Sequence, residues 1–190
     1  PHILCRKAAG YVVPYADSPF DDENVGEHVY LDMLYTAKKY VHIMTPYLII
    51  GYEMVQALKY AAKRGVEVEL ILPHIPDKWY VYQLAWNAYQ ELLESGVKIF
   101  EYTPGFIHAK CFVSDDTTAI VGTCNLDFRS IYWNFEDFVY LYNSKTVLDV
   151  KNDALKTFEV SKEVTDAECI NRHFIVRFMQ SVLQLFAPLL

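Results

Sequence analysis

Residues 108–125 read His108-Ala109-Lys110-Cys111-Phe112-Val113-Ser114-Asp115-Asp116-Thr117-Thr118-Ala119-Ile120-Val121-Gly122-Thr123-Cys124-Asn125. Two apolar runs, 109–114 and 119–123, flank a polar Ser-Asp-Asp-Thr-Thr segment, the pattern of two strands joined by a turn. Side chains alternate along a strand, so in a strand over 106–114 His108 and Lys110 project from one face, about 7 Å apart along the chain. Asp115 has the opposite parity and is expected to brace the turn. Gly122 ends the second strand, where a missing side chain lets a ligand approach the backbone, and Thr123 and Asn125 follow with a hydroxyl and an amide. An imidazole, an ammonium and uncharged donors, with no carboxylate cluster on that face, suit an anionic tetrahedral group such as phosphate. Attack of a neutral imidazole on a phosphodiester would give a phosphohistidine, with Lys110 and Asn125 stabilising the non-bridging oxygens. That chemistry needs no metal and no cofactor.

Outward from this pair of strands, helices and buried strands alternate. Residues 27–39, 53–64 and 80–94 carry apolar residues at helical spacing, and each is followed by a β-branched or apolar run, at 40–45, 66–72 and 97–102. Residues 135–142 form a further strand, and 145–161 and 171–185 read as helices; residues 14–26 read as a surface loop. The alternation predicts an α/β/α sandwich with a mixed central sheet covered on both faces.

The chain has 190 residues, within the usual span of one domain, and 53% of them are hydrophobic, which excludes a disordered polypeptide. Seventeen Lys and Arg against 24 Asp and Glu give a net charge of −7, which argues against a general nucleic-acid binder. Cys5, Cys111, Cys124 and Cys169 have neither metal-ligand nor disulfide-framework spacing and read as reduced thiols. The chain opens Pro1-His2-Ile3 with no leader pattern and reads as the C-terminal part of something longer. Residues 174–190 are apolar but contain Arg177, two Gln and Pro188, short of the roughly 20 apolar residues of a membrane span. They read as a helix packed on the core or on a missing N-terminal half, in preference to direct membrane contact.

The spacing His108-x-Lys110-x4-Asp115-x6-Gly122-Thr123-x-Asn125 resembles the HKD signature of the phospholipase D superfamily. Six fixed positions make a chance match on the order of 10⁻⁸ per start site. The resemblance extends to the C-terminal half of bacterial cardiolipin synthases through Asp17-Ser18-Pro19 with Asp21 to Asn24, Thr45-Pro46-Tyr47, Ile75 to Lys78, Glu101 to Phe106, Asn125 to Ser130, and Leu185 to Leu190. It implies a single phospholipase D-like catalytic domain over residues 1–190, half of a two-motif enzyme that joins two phosphatidylglycerols into cardiolipin and releases glycerol. It also implies phosphotransfer through phosphohistidine, with His108, Lys110, Asn125 and Glu136 catalytic and Lys110, Thr123 and Asn125 binding phosphate. Asp115 is the structural residue of the motif, and Glu136 is the carboxylate that orients an imidazole, often that of the opposite motif. The implied partners are anionic phospholipid, the first-motif half or a second copy of the chain, and the cytoplasmic face of the bacterial membrane.

Arg129 and Ser130 read as a capping pair outside the core site, and Thr45-Pro46-Tyr47 as a loop plug more than a ligand site. Two other readings stay open: a homodimeric single-motif phosphodiesterase or nuclease, and a catalytically silent lipid-binding module.

Overall fold

The computed structural model describes residues 9–20, 22–170 and 174–189. Three helix-to-strand units build its centre: α1 (Val25–Thr36) leads into β2 (Tyr40–Met44), α2 (Tyr52–Lys63) into β4 (Glu67–Pro73), and α3 (Trp79–Leu93) into β5 (Lys98–Tyr102). β2, β4 and β5 run parallel. An antiparallel set follows, with β6 (Cys111–Ser114) against β2, β7 (Thr118–Gly122) against β6, and β9 (Glu136–Tyr142) against β7. Two edge strands, β1 (Tyr11–Asp17) and β10 (Ser161–Glu163), complete an eight-stranded sheet in the order β1-β9-β7-β6-β2-β4-β5-β10.

Strand alternation divides the apolar residues between two layers. Val41 and Ile43 of β2, Leu70 of β4, Phe112 of β6 and Ile120 of β7 pack under α1, α2 and α3 with Tyr30, Leu34, Met54 and Leu58. Their neighbours in sequence, Tyr40, Met44, Ile71, Val113 and Ala119, point the other way, toward Val147 and Ala154 of α5 (Lys145–Glu159). Every residue of β2 is therefore buried, as a strand covered on both faces requires. Each large side chain fully withdrawn from water contributes about 1.5–3 kcal/mol. The expected mixed sheet covered on both faces is the observed one.

One expectation fails. Residues 14–17, expected in the surface loop 14–26, belong instead to β1, which is paired residue by residue with β9 from Tyr11 opposite Tyr142 to Asp17 opposite Glu136. Pro14 has no N–H to give a ladder, which is tolerated because β1 is an edge strand. Its residues 11–14 are exposed, so no buried periodicity marks them.

The turn between β6 and β7 ties the halves of the sheet together. Asp115 and Asp116, the first two residues of the three-residue turn 115–117, both have positive φ, 55° and 61°, and Thr117 N–H donates to the Ser114 carbonyl at 3.1 Å. The Asp115 carboxylate accepts from the backbone N–H groups of Lys38 (2.7 Å), Lys39 (2.8 Å) and Tyr40 (3.1 Å), where α1 gives way to β2. Asp116 accepts from Tyr40 Oη (2.9 Å) and from Lys151 Nζ of α5 (2.5 Å).

At the C-terminus α6 (Asp166–Ile170) precedes α7 (Phe174–Gln184) and a 3₁₀ turn at Ala187–Leu189. α7 lies on α3 through polar groups: Gln180, 2% exposed, donates to Gln83 Oε1 at 2.8 Å, and Asn87 donates to the Gln180 carbonyl at 3.0 Å. Phe174, Phe178 and Leu185 are 74%, 64% and 78% exposed. The segment thus packs on the domain through Gln180 together with the apolar Leu183 and Ala187. No helix among the described residues is long and apolar enough to cross a membrane.

Asp115→Ala would leave three backbone donors without their acceptor. It is expected to cost about 1–3 kcal/mol, read as a fall of roughly 2–4 °C in Tm per kcal/mol for a domain of this size. An unchanged melt would show that the turn does not hold the α1–β2 junction.

Candidate active site

Lys110 and His108 sit at the mouth of β6, in an irregular stretch over residues 103–110 rather than in the predicted strand. Gly122 N–H donates to the Lys110 carbonyl at 3.1 Å, so backbone pairing with β7 reaches Lys110 and stops. Lys110 Nζ lies 2.9 Å from His108 Nδ1 and donates to the His108 carbonyl at 2.8 Å. An ammonium can only donate, so Nδ1 accepts and the neutral ring carries its proton on Nε2. The imidazole is exposed beside Phe106, ring centroids 5.8 Å apart, and Lys110 is half-buried.

Partial desolvation holds the His108 pKa below its ordinary value, with the Lys110 cation adding to the effect and Asp77 opposing it. Lys110 is lowered by its own burial, against the fields of Glu136, Asp127 and Cys124. The imidazole is therefore neutral at neutral pH.

The β7 arm ends at the same edge. Thr123 Oγ1 donates to Glu136 Oε2 and accepts from Asp137 N–H at 3.0 Å. Its single hydroxyl proton is given to the carboxylate, so Thr123 braces Glu136 here rather than offering a free donor to phosphate. Glu136, the first residue of β9 and 6% exposed, also accepts from Asn134 Nδ2 at 3.2 Å. No carboxylate is bonded to His108 among the described residues. Asn125 Nδ2 donates to Ser130 Oγ at 3.0 Å, while its Oδ1 is buried without a donor. Turning that amide by 180° would let the Ser130 hydroxyl satisfy Oδ1 and free the NH₂ group.

Gly122 is also set by packing. A Cβ there would come within 2.6 Å of the Asp137 carbonyl oxygen, so the packing of β9 requires the glycine. Cys124 and Cys111 are buried; burial pushes the Cys111 thiol up to about 12 and Cys124 higher still, which leaves both as protonated core side chains.

Several groups at this edge carried no strong sequence signal. A two-stranded ribbon of β3 (Leu48–Ile49) and β8 (Leu126–Asp127) joins the residues after β2 to the end of the motif. Thr45, 1% exposed, accepts from Leu126 N–H at 3.2 Å and donates to the Tyr47 carbonyl at 3.0 Å, fixing the backbone next to Asn125. Tyr47 donates to Asp77 Oδ2 at 2.6 Å, and Lys78 Nζ lies 5.6 Å from the Tyr47 ring centroid. Arg129 follows the N-cap Asp127 of the short helix α4 (Phe128–Tyr132). The family resemblance marked the segments Thr45-Pro46-Tyr47, Ile75 to Lys78 and Asn125 to Ser130, but neither it nor the prolines in two of them said what these loops face.

The cardiolipin synthase, phospholipase D-like domain model matches residues 30–158. The chain belongs to this family. A cardiolipin synthase of Halalkalibacterium halodurans is 34% identical over the whole chain, which spans 38% of that protein. Cardiolipin synthase 1 of Staphylococcus aureus is 38% identical over 92% of the chain and 36% of its own length. An uncharacterized protein of Streptococcus mutans serotype c is 49% identical over 96% of the chain and 40% of its own length. The chain therefore spans about two fifths of these relatives. Among solved structures, Nuc of Salmonella typhimurium, a phospholipase D family member, superposes with a TM-score of 0.70 at 18% identity, covering 82% of this chain and 98% of that one. Phosphatidylserine synthase of Haemophilus influenzae gives a TM-score of 0.70 at 17% identity, covering 94% and 45%. At such identities these two establish the fold of this phospholipase D-like domain.

Replacing the cation tests the electrostatics of the pair. In Lys110→Met the His108 imidazole is expected to titrate at a higher pH than in the parent chain, because protonation no longer opposes a neighbouring positive charge. Imidazole ¹⁵N shifts followed against pH measure this; a transition that stays put or moves down would mean that Lys110 does not govern the ring.

Proposed function

We propose that this chain is a phosphatidyltransfer domain of a cardiolipin synthase and forms half of a two-motif active site. The observation that carries the reading is the His108–Lys110 pair: an exposed, neutral imidazole in contact with an ammonium, with Asn125 at the adjoining strand end and, among the described residues, no carboxylate bonded to the ring.

A phosphodiester entering this edge would draw Lys110 onto its non-bridging oxygens, because an N⁺–H···O⁻ bond is roughly twice as strong as one to a neutral acceptor. His108 Nδ1, released from the ammonium, then takes a proton and needs a carboxylate to hold it. Glu136 is not that carboxylate within one chain, since it is bonded to Thr123 and Asn134. Two copies of the motif facing each other would let each Glu136-type carboxylate orient the imidazole across the axis.

In the first displacement one imidazole forms a P–N bond as the P–O bond to glycerol breaks, and the opposite imidazolium gives its proton to the leaving oxygen. In the second, the hydroxyl of another phosphatidylglycerol attacks phosphorus, the P–N bond breaks, and the attacking proton returns to the opposite imidazole. Lys110 and Asn125 carry the charge on phosphorus oxygens in both steps. In this scheme His108, as the histidine of a second motif, takes the acid–base role. The exposed apolar side of α7 supports approach to a lipid surface at the cytoplasmic face of the membrane.

One imidazole cannot stand on both sides of one phosphorus, so the 190-residue chain as a monomer should make no cardiolipin from labelled phosphatidylglycerol. Any turnover should rise with the dimer population measured by light scattering. When paired with a first-motif half, His108→Asn should abolish glycerol release with an unchanged thermal melt. A monomer whose rate is linear in concentration, or an active and folded His108→Asn variant, would overturn the reading.

A further inference from the structure

A cavity of about 260 Å³ opens beside the motif, walled by Tyr47 and Lys78 on one side and by Asn125, Asp127, Arg129 and Asn134 on the other. That is slightly smaller than the roughly 300–1,000 Å³ of pockets that enclose a drug-sized molecule, so it fits a headgroup and not a whole lipid. Two of its wall residues are cations, and among the described residues neither Lys78 nor Arg129 has an ion-pair partner. The one carboxylate in the wall, Asp127, is 6% exposed and accepts from Ser130 N–H at 2.7 Å, capping α4. The wall carries a net charge of +1, which matches a phosphodiester better than doubly charged inorganic phosphate.

Two further features point to a lipid. Arg129 and Asn134 also wall a second cavity of about 260 Å³ with Trp133 and Pro188, so the cationic space adjoins an apolar outlet. Trp133 is 66% exposed. Beneath the headgroup cavity, Ile49 and Val81 pack with Ala187 of the C-terminal turn and with Leu183 of α7, whose outer side is apolar.

We propose that this cavity is the acceptor subsite: Lys78 and Arg129 hold the phosphodiester of the second phosphatidylglycerol while its acyl chains leave over Trp133 and Pro188. The assignment rests on the phosphatidyltransfer reading above and adds where the second lipid sits. The product of that reaction has two phosphates joined through one glycerol. Asn125 lines this cavity and belongs to the motif, so a lipid held here presents its glycerol hydroxyl toward the phosphorus held at His108 and Lys110. The other phosphate site and this one share a residue and are otherwise built from different cations.

The probe is dihexanoyl-phosphatidylglycerol below its micelle concentration, titrated into the 190-residue chain while the Arg129 Nε–H signal is followed by NMR. A saturable shift is expected in the parent chain and in Lys110→Ala. Lys78→Ala should weaken it at least fivefold, and Lys78→Arg should restore it. An unmoved Arg129 signal, or a response lost in a folded Lys110→Ala variant, would overturn a separate acceptor subsite. An equal response to inorganic phosphate at the same concentration would overturn its assignment to a lipid. Glycerol release by the paired assembly reports on transfer alone, so the subsite and the transfer reading fail independently.

Discussion

The three-residue turn from Asp115 to Thr117 is the constraint on which the site depends. It sets Ser114 opposite Thr118 and Cys111 opposite Val121, so both arms of the hairpin end at the same edge of the sheet. One arm delivers His108 and Lys110, the other Thr123 and Asn125. Because Asp115 also binds three N–H groups at the start of β2, the hairpin cannot slide against the parallel half of the sheet without losing them. A slip of one residue would send Phe112 to the wrong layer and reverse every side chain beyond it. The turn lies at the far end of the hairpin from the chemistry, and its effect is register.

Local charge, rather than overall charge, governs what the edge can hold. The chain is acidic, at −7, yet its carboxylates near the motif are occupied: Glu136 by Thr123 and Asn134, Asp127 by a backbone N–H, and Asp77 by Tyr47. Lys110, Lys78 and Arg129 are left to face the cleft. An occupied carboxylate still contributes its field, which is why Glu136 and Asp127 help keep the half-buried Lys110 charged. The result is a site for singly charged phosphodiesters on a protein whose average potential repels polyanions.

The same economy explains why the chain reads as half of a site. His108 has a cation at one ring nitrogen and, among the described residues, no carboxylate bonded to the ring, and the buried carboxylate of Glu136 is held by the Thr123 hydroxyl and the Asn134 amide. A pair of such edges would supply each imidazole with what its own chain withholds. The family relatives, of which this chain spans about two fifths, have room for a second edge of that kind.

The sequence by itself determined the α/β layering and the motif, because both are written in local periodicity. Buried strands such as 66–72 and 97–102 are short apolar runs after amphipathic helices, and six fixed positions between His108 and Asn125 are improbable by chance. What it did not determine are features that arise only when distant segments meet. Residues 11–17 became a strand because β9 had an open edge to pair with, although Pro14 and exposed side chains masked the pattern. Thr123 was spent on Glu136, thirteen positions away, because β7 and β9 are neighbours. Gly122 proved necessary to β9 for the same reason. Tyr47, Lys78 and Arg129 lie 31 and 51 residues apart in sequence and share a cavity because the ends of β2, β4 and β7 converge at one edge of the sheet. Periodicity reports which side of an element is buried; the partner that buries it is decided by strand order, which is a property of the folded chain.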